Sequence, residues 1–148
     1  MPGARNKVQA SMTTITYRES VTVEEFLAFA QRVWPRSYST DEAAAALERT
    51  TNIGAWDGSR LVGSVRVLTD GYFFATIPEI LVDPEYQRRG IGRALMDRAV
   101  AAAPRGKVFF GAQPQSVEFF QRIGCVPALT GFIASLPLTA DPQRVGHR

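Results

Sequence analysis

Residues 78–103, PEILVDPEYQRRGIGRALMDRAVAAA, constrain the fold more than any other stretch of this chain. An apolar strand end (Ile80, Leu81, Val82) meets a turn at Asp83-Pro84. A glycine-punctuated loop, Gln87-Arg88-Arg89-Gly90-Ile91-Gly92, then opens directly into a helix. The first N–H groups of a helix have no partner within it and sit at the positive end of its dipole, so a strand, loop and helix in this order make an anion site. Arg88, Arg89 and Arg93 add formal charge at the same place, which points to a ligand carrying phosphates. The competing reading is a plain left-handed turn whose glycines serve conformation alone.

What else the chain can do is narrowed by what it lacks. Cys125 is the only cysteine and His147 the only histidine among 148 residues. An internal disulfide, a thiolate metal cluster and a Ser-His-Asp triad are therefore excluded, and the expected chemistry uses neither histidine nor metal. A net charge of +3 permits nucleic-acid or membrane binding without requiring it. No run approaches the ~20 apolar residues of a membrane helix, and the N-terminal stretch lacks the apolar core of a signal peptide, so the expected location is cytoplasmic.

Local signals order the remaining elements. Residues 1–12 and 138–148 read as polar tails around one domain at 13–137. A first strand over 13–18 is followed by Thr22 and Glu25 at capping-box spacing and a helix that ends at Pro35. Ser39 and Glu42 repeat that spacing before an alanine-rich helix reaching about Arg49. Asp57-Gly58-Ser59-Arg60 between two apolar runs predicts a hairpin. A third strand over 72–82 contains Pro78, which cannot donate to a ladder and calls for a bulge or a local strand separation. The central helix runs over 90–103. A short buried strand over 107–112, a helix over 115–123 stopped by Gly124, and two final strands within 125–136 complete a mixed α/β order.

This order, the Q-x-x-G-x-G loop after a strand ending L-V-D-P, and the later F-F-Q-R-I-G-C together resemble the GNAT superfamily of N-acetyltransferases over about residues 13–136. The resemblance implies a single α/β domain whose mixed central sheet, flanked by helices, binds acetyl-CoA where two neighbouring parallel strands splay apart, here 72–82 and 107–112. It implies that backbone at Leu81 and Val82 pairs with the pantetheine arm. The loop of Gln87, Arg88, Arg89, Gly90, Ile91 and Gly92, with the amides near Arg93, would hold the pyrophosphate. Gln113 stands where the family often has an asparagine touching pantetheine; Ser116, and Phe120 of the second motif, are further implied coenzyme-binding residues.

For transfer, an alkyl amine with a pKa near ~10 must lose a proton, and Glu79 is the candidate base; its alternative is a structural carboxylate beside the bulge. Phe120 departs from the family, which often has a tyrosine there as general acid toward the thiolate. Tyr38, Tyr72, Ser116 or water would have to substitute, or the thiolate, with a pKa near ~8.5, leaves unaided. Cys125 reads as a small core residue. The implied partner is a small-molecule amine or a protein amino group, with no nucleic acid and no membrane; an exposed final strand would allow a homodimer. The rival reading is a catalytically weak or inactive coenzyme A-binding module with a sensor or interaction role.

Overall fold

Side-chain caps start the first two helices. The Thr22 hydroxyl accepts from Glu25 N–H at 3.1 Å and the Glu25 carboxylate accepts from Thr22 N–H at 3.0 Å, which launches α1 (Val23–Val33). Ser39 accepts from Glu42 N–H at 3.3 Å to begin α2 (Thr40–Glu48). The computed structural model describes residues 14–138; the expected tails, with His147, lie outside the described residues except for position 138. The described residues fall into two compact units, divided between Phe110 and Gly111.

The first unit is built on an antiparallel meander. Strands β1 (Ile15–Arg18), β2 (Thr51–Asp57), β3 (Arg60–Thr69) and β4 (Ala75–Val82) lie side by side in chain order, each antiparallel to the next. The hairpin expected at Asp57-Gly58-Ser59-Arg60 forms, with Gly58 at φ 60° supplying its left-handed position. β4 starts later than the spacing predicts, because Asp70 accepts the N–H groups of Tyr72, Phe73 and Phe74 and folds them into a turn.

Helices cover both faces of this sheet. A Cβ at Gly63 would stand 3.0 Å from Ile91 and 3.1 Å from Leu95, so that face carries α3 (Ile91–Ala102). On the opposite face Trp56, Leu61 and Leu81 pack with Phe29 of α1. These side chains are buried and hold the sheet between two layers.

The expected bulge is present. Between the pairs Arg66↔Glu79 and Leu68↔Thr76, β3 advances by two residues and β4 by three, so Ile77 and Pro78 together oppose Val67. Pro78 thus occupies a position that asks for no ladder donor. Among the described residues the splayed pair of parallel strands inferred for 72–82 and 107–112 does not form: the four-stranded sheet is antiparallel, and the parallel component is a single bridge, Thr76↔Phe109. That bridge is closed by Phe109 N–H to Ala75 O at 2.9 Å and Ile77 N–H to Phe109 O at 3.3 Å. It lies just before the bulge, where β4 loses regular ladder geometry, and Lys107 and Phe109 remain exposed, so little apolar burial drives further pairing.

In the second unit a 3-10 turn (Pro114–Ser116) leads into α4 (Val117–Arg122). Gly124 at φ 101° ends it, donating to Gln121 O at 3.1 Å, as the sequence predicts. The two strands expected within 125–136 do not form; Pro127 and Gly131 interrupt the stretch, and Val126, Leu129, Phe132 and Leu136 are exposed rather than packed.

Candidate active site

The bulge decides where Glu79 sits. Register places Glu79 and Leu81 on the face shared with Arg66 and Ser64, the face that carries α1. Arg66 Nε stands 3.0 Å from Glu79 Oε1, an ion pair whose N–H is not aimed at the oxygen, so neither atom counts a hydrogen bond. Ser64 Oγ and Trp56 Nε1 are likewise buried without a hydrogen-bond partner among the described residues. Trp56 belongs to this face too: its ring lies across Gly54, which pairs with Ser64. Two buried polar atoms with unused bonding capacity, Ser64 Oγ and Trp56 Nε1, therefore share the face of the Arg66–Glu79 pair, and such groups in a native fold call for a role or for water. A hollow of about 280 Å³ on the same side is lined by Val21, Val23, Ala44, Leu47, Glu48 and Asn52. Asn52 is the ladder neighbour of Arg66.

Leu81 sends its side chain into the core with Phe29, Trp56 and Leu61, and β4 is the edge strand of the sheet. Within the first unit, no described backbone bond reaches the outer edge of Leu81 or Val82. Their backbone can therefore take an extended amide ligand.

Asp83 fixes the exit from this strand. It is buried, and its Oδ2 accepts from Arg32 Nε at 3.0 Å and Arg60 Nη2 at 3.2 Å while Oδ1 accepts from Glu85 N–H at 3.0 Å. Arg32 also donates to Leu61 O at 2.8 Å. Burial by itself would raise the Asp83 pKa; the hydrogen bond from Glu85 N–H, the bond and charge of Arg32 and the charge of Arg60 outweigh it, and the net shift is downward. A depressed folded-state pKa means stability that is present above the unfolded value, near ~3.9, and is lost as pH falls through the folded value. The expected result is that Asp83→Asn lowers the unfolding free energy by about 2 kcal/mol at neutral pH, the exposed arginines recovering part of their hydration. Denaturant titrations from neutral to acid pH check it: the two proteins should converge as the medium approaches the folded-state pKa.

Beyond Asp83 a 3-10 turn (Pro84–Tyr86) leads to the loop. Gln87, Arg88, Arg89 and Gly90 are exposed. Arg88 at φ 63° and Gly90 at φ 80° are both left-handed, so the backbone turns on either side of Arg89. Gly90 caps α3 with no side-chain bond, and the first turn of the helix holds no acid, so its amides remain available to an external anion. Ile91 is buried against the sheet and contributes only its amide; Gly92 is half-buried and Arg93 exposed.

In the second unit Gln113 precedes the 3-10 turn and its carbonyl accepts from Ser116 N–H at 2.8 Å. Phe120 is buried, edge-on to Phe119 with centroids 5.1 Å apart. Cys125 is half-buried and burial pushes its thiol pKa up, consistent with a packing role. Of the substitute acids, Tyr38 donates its hydroxyl to Trp34 O at 2.8 Å and Tyr72 lies exposed in the β3–β4 turn. Among the described residues no group of three or more His, Cys, Asp or Glu is placed to hold a metal, and no helix is long and apolar enough to cross a membrane.

Sequence reasoning missed Arg32, Arg60 and Arg66 as partners of the site carboxylates. Only Arg66 had a usable signal, since the hairpin register combined with the bulge puts it opposite Glu79. Arg98 and Arg105 stack on Tyr17 at 4.4 Å and Phe73 at 5.0 Å.

Comparison with known proteins agrees with this architecture. A family model described as an acetyltransferase (GNAT) domain matches residues 14–129. Histone acetyltransferase TAP1 of Glycine max is 31% identical over 120 residues, which span 70% of this chain and 52% of that protein. The chain thus spans about half the length of the Glycine max relatives it matches. A GNAT-family acetyltransferase of Streptococcus pneumoniae superposes with a TM-score of 0.68 at 28% identity, covering 81% of this chain and 95% of the other. AAC(6')-Iy in complex with a bisubstrate analog, CoA-S-monomethyl-acetylneamine, shares the fold at a TM-score of 0.67 and 14% identity, over 82% of this chain and 97% of the other. With a family model for the acetyltransferase (GNAT) domain matching residues 14–129, most of its length, this chain belongs to the GNAT acetyltransferase family.

Proposed function

We propose that the chain is an N-acetyltransferase that moves an acetyl group from acetyl-CoA directly to a primary amine of a small molecule or a protein. The observation that carries this reading is the loop–helix junction, where Arg88 and Gly90 are left-handed, the α3 amides are uncapped by side chains and Arg88, Arg89 and Arg93 supply charge. Those groups would hold the pyrophosphate, and the open edge of β4 at Leu81 and Val82 would take the pantetheine. The donor supplies an activated thioester. Glu79, beyond the bulge on the α1 face, would accept the proton of the incoming amine, directly or through a water, and Arg66 would hold that carboxylate in place. The hollow bordered by Glu48 and Asn52 lies on this face and suits an amine-bearing acceptor.

Isothermal titration with acetyl-CoA, followed by thiol release against a panel of amines, tests the proposal. Binding with turnover supports it. Binding without turnover across the panel favours the second reading, a coenzyme A-binding module with a sensor or interaction role, which the Arg66–Glu79 pair and the proton-less Phe120 motivate. The loop itself is tested by Gly90→Glu. A Cβ at Gly90 meets no heavy atom within 4 Å, so the folding cost is the left-handed backbone alone, about 1–2 kcal/mol. Coenzyme affinity is expected to fall at least ~100-fold, because a carboxylate then stands among phosphates. Unchanged affinity in the folded variant removes the loop from the site. The exposed apolar run at Val126, Leu129, Phe132 and Leu136 is read as a homodimer contact, checked by sedimentation velocity.

A further inference from the structure

We propose that Tyr86 is a positioning residue for the phosphate loop, latched by Asp57 at the corner of the β2–β3 hairpin and aiming Arg89 at the phosphates of the donor. The inference rests on the reading of residues 87–92 as the phosphate site. Tyr86 closes the 3-10 turn between Asp83 and the loop, and its N–H donates to Asp83 O at 2.8 Å. Its hydroxyl donates to Asp57 Oδ2, a residue 29 positions earlier in the chain. The guanidinium of Arg89 lies over the Tyr86 ring at 4.8 Å, and that of Arg60 at 5.9 Å. Arg60 is in turn held by Asp83 and approaches Glu85 at 3.9 Å. The phenol is thus tied to the hairpin by one atom and to the loop by its face.

Two physical needs are met by this arrangement. Arg88 at φ 63° adopts a conformation that a non-glycine residue keeps only when its surroundings over-determine it, and a rigid Tyr86 two residues upstream fixes one side of that turn. An exposed arginine gives up rotamer freedom when it binds a phosphate; resting on an aromatic face reduces that loss before the ligand arrives. The hydroxyl stays a donor at working pH. Its pKa is raised chiefly by the bond to Asp57, with desolvation and the Asp57 charge adding and Arg60 and Arg89 opposing.

The test is Tyr86→Phe, which deletes one oxygen, measured by calorimetric titration with coenzyme A and by thermal melting. Affinity is expected to weaken about tenfold with a melt near that of the wild type. Tyr86→Leu, which also removes the platform, should weaken it further. Two double-mutant cycles then assign the route. In an Asp57→Ala background Tyr86→Phe should cost little more, because the latch is already open. In an Arg89→Ala background it should also cost little, which a merely structural role would not produce. Wild type that binds no coenzyme A overturns the phosphate-loop reading itself. Wild type that binds, with Tyr86→Phe equal to it or with effects fully additive in both cycles, overturns the positioning role alone.

Discussion

Replacing Gly54 by alanine is expected to destabilise the fold by about 3 kcal/mol, since among the described glycines it is the one where an added Cβ meets the closest heavy atoms. A Cβ there would stand 2.4 Å from Trp56 Cη2, 2.6 Å from Trp56 Cζ3 and 2.9 Å from Leu61 Cδ1. None of these is the loose end of a flexible chain. The indole is fully buried, packed against Phe29, Leu61 and Leu81, and covered by Arg18 at 3.8 Å from the ring centroid. It cannot swing away without opening the layer between α1 and the sheet, and interiors at crystal-like density transmit such a displacement rather than absorb it. Because Gly54 pairs with Ser64, which pairs with Leu81, the strain would arrive at the strand that carries Glu79. Guanidinium denaturation of wild type and variant measures the effect; a midpoint unchanged within error would mean that the indole has room to move.

Glu79→Gln is expected to lower kcat/KM about 100-fold at neutral pH, the usual worth of a positioned general base. The loss should shrink as pH approaches the amine's own pKa, near ~10, where the acceptor sheds its proton without help. The substitution also removes the charge that pairs with Arg66; the two side chains are only partly buried and the amide still fills the site, so the cost is about 1–2 kcal/mol and the variant should fold. Coenzyme affinity should stay close to that of wild type, since the loop at 87–92 is untouched. An equal fractional loss at every pH would move Glu79 from proton acceptor to structural partner of Arg66. The pH profile separates these readings where a single-pH rate would not.

The difference between the two variants reflects how each residue can be read. Glu79 could be singled out in advance, because the family resemblance puts a carboxylate at or near that position, just before the backbone of Leu81 and Val82. Its face could not, since that depends on which strand carries the extra residue of the bulge. Gly54 gave no warning at all: a glycine in a strand is ordinary until a tryptophan two residues away is known to lie across it.

Thr22 with Glu25, Ser39 with Glu42, the turn at Asp57-Gly58-Ser59-Arg60, the glycine stop at Gly124 and the loop–helix junction at Gly90 each rest on bonds between residues at most a few positions apart. For that reason the sequence by itself determined them. Where apolar pairing had to decide between strand and coil, at 107–112 and 125–136, periodicity overstated the outcome, because a strand needs a partner edge and a buried face as well as an alternating pattern. The linkages that brace the candidate site belong to tertiary structure alone. Asp83 meets Arg32 across 51 residues, and Tyr86 meets Asp57 across 29. Such contacts form only after the meander and α1 have closed distant loops, and no local propensity encodes a bond whose two ends the chain must first fold to bring together.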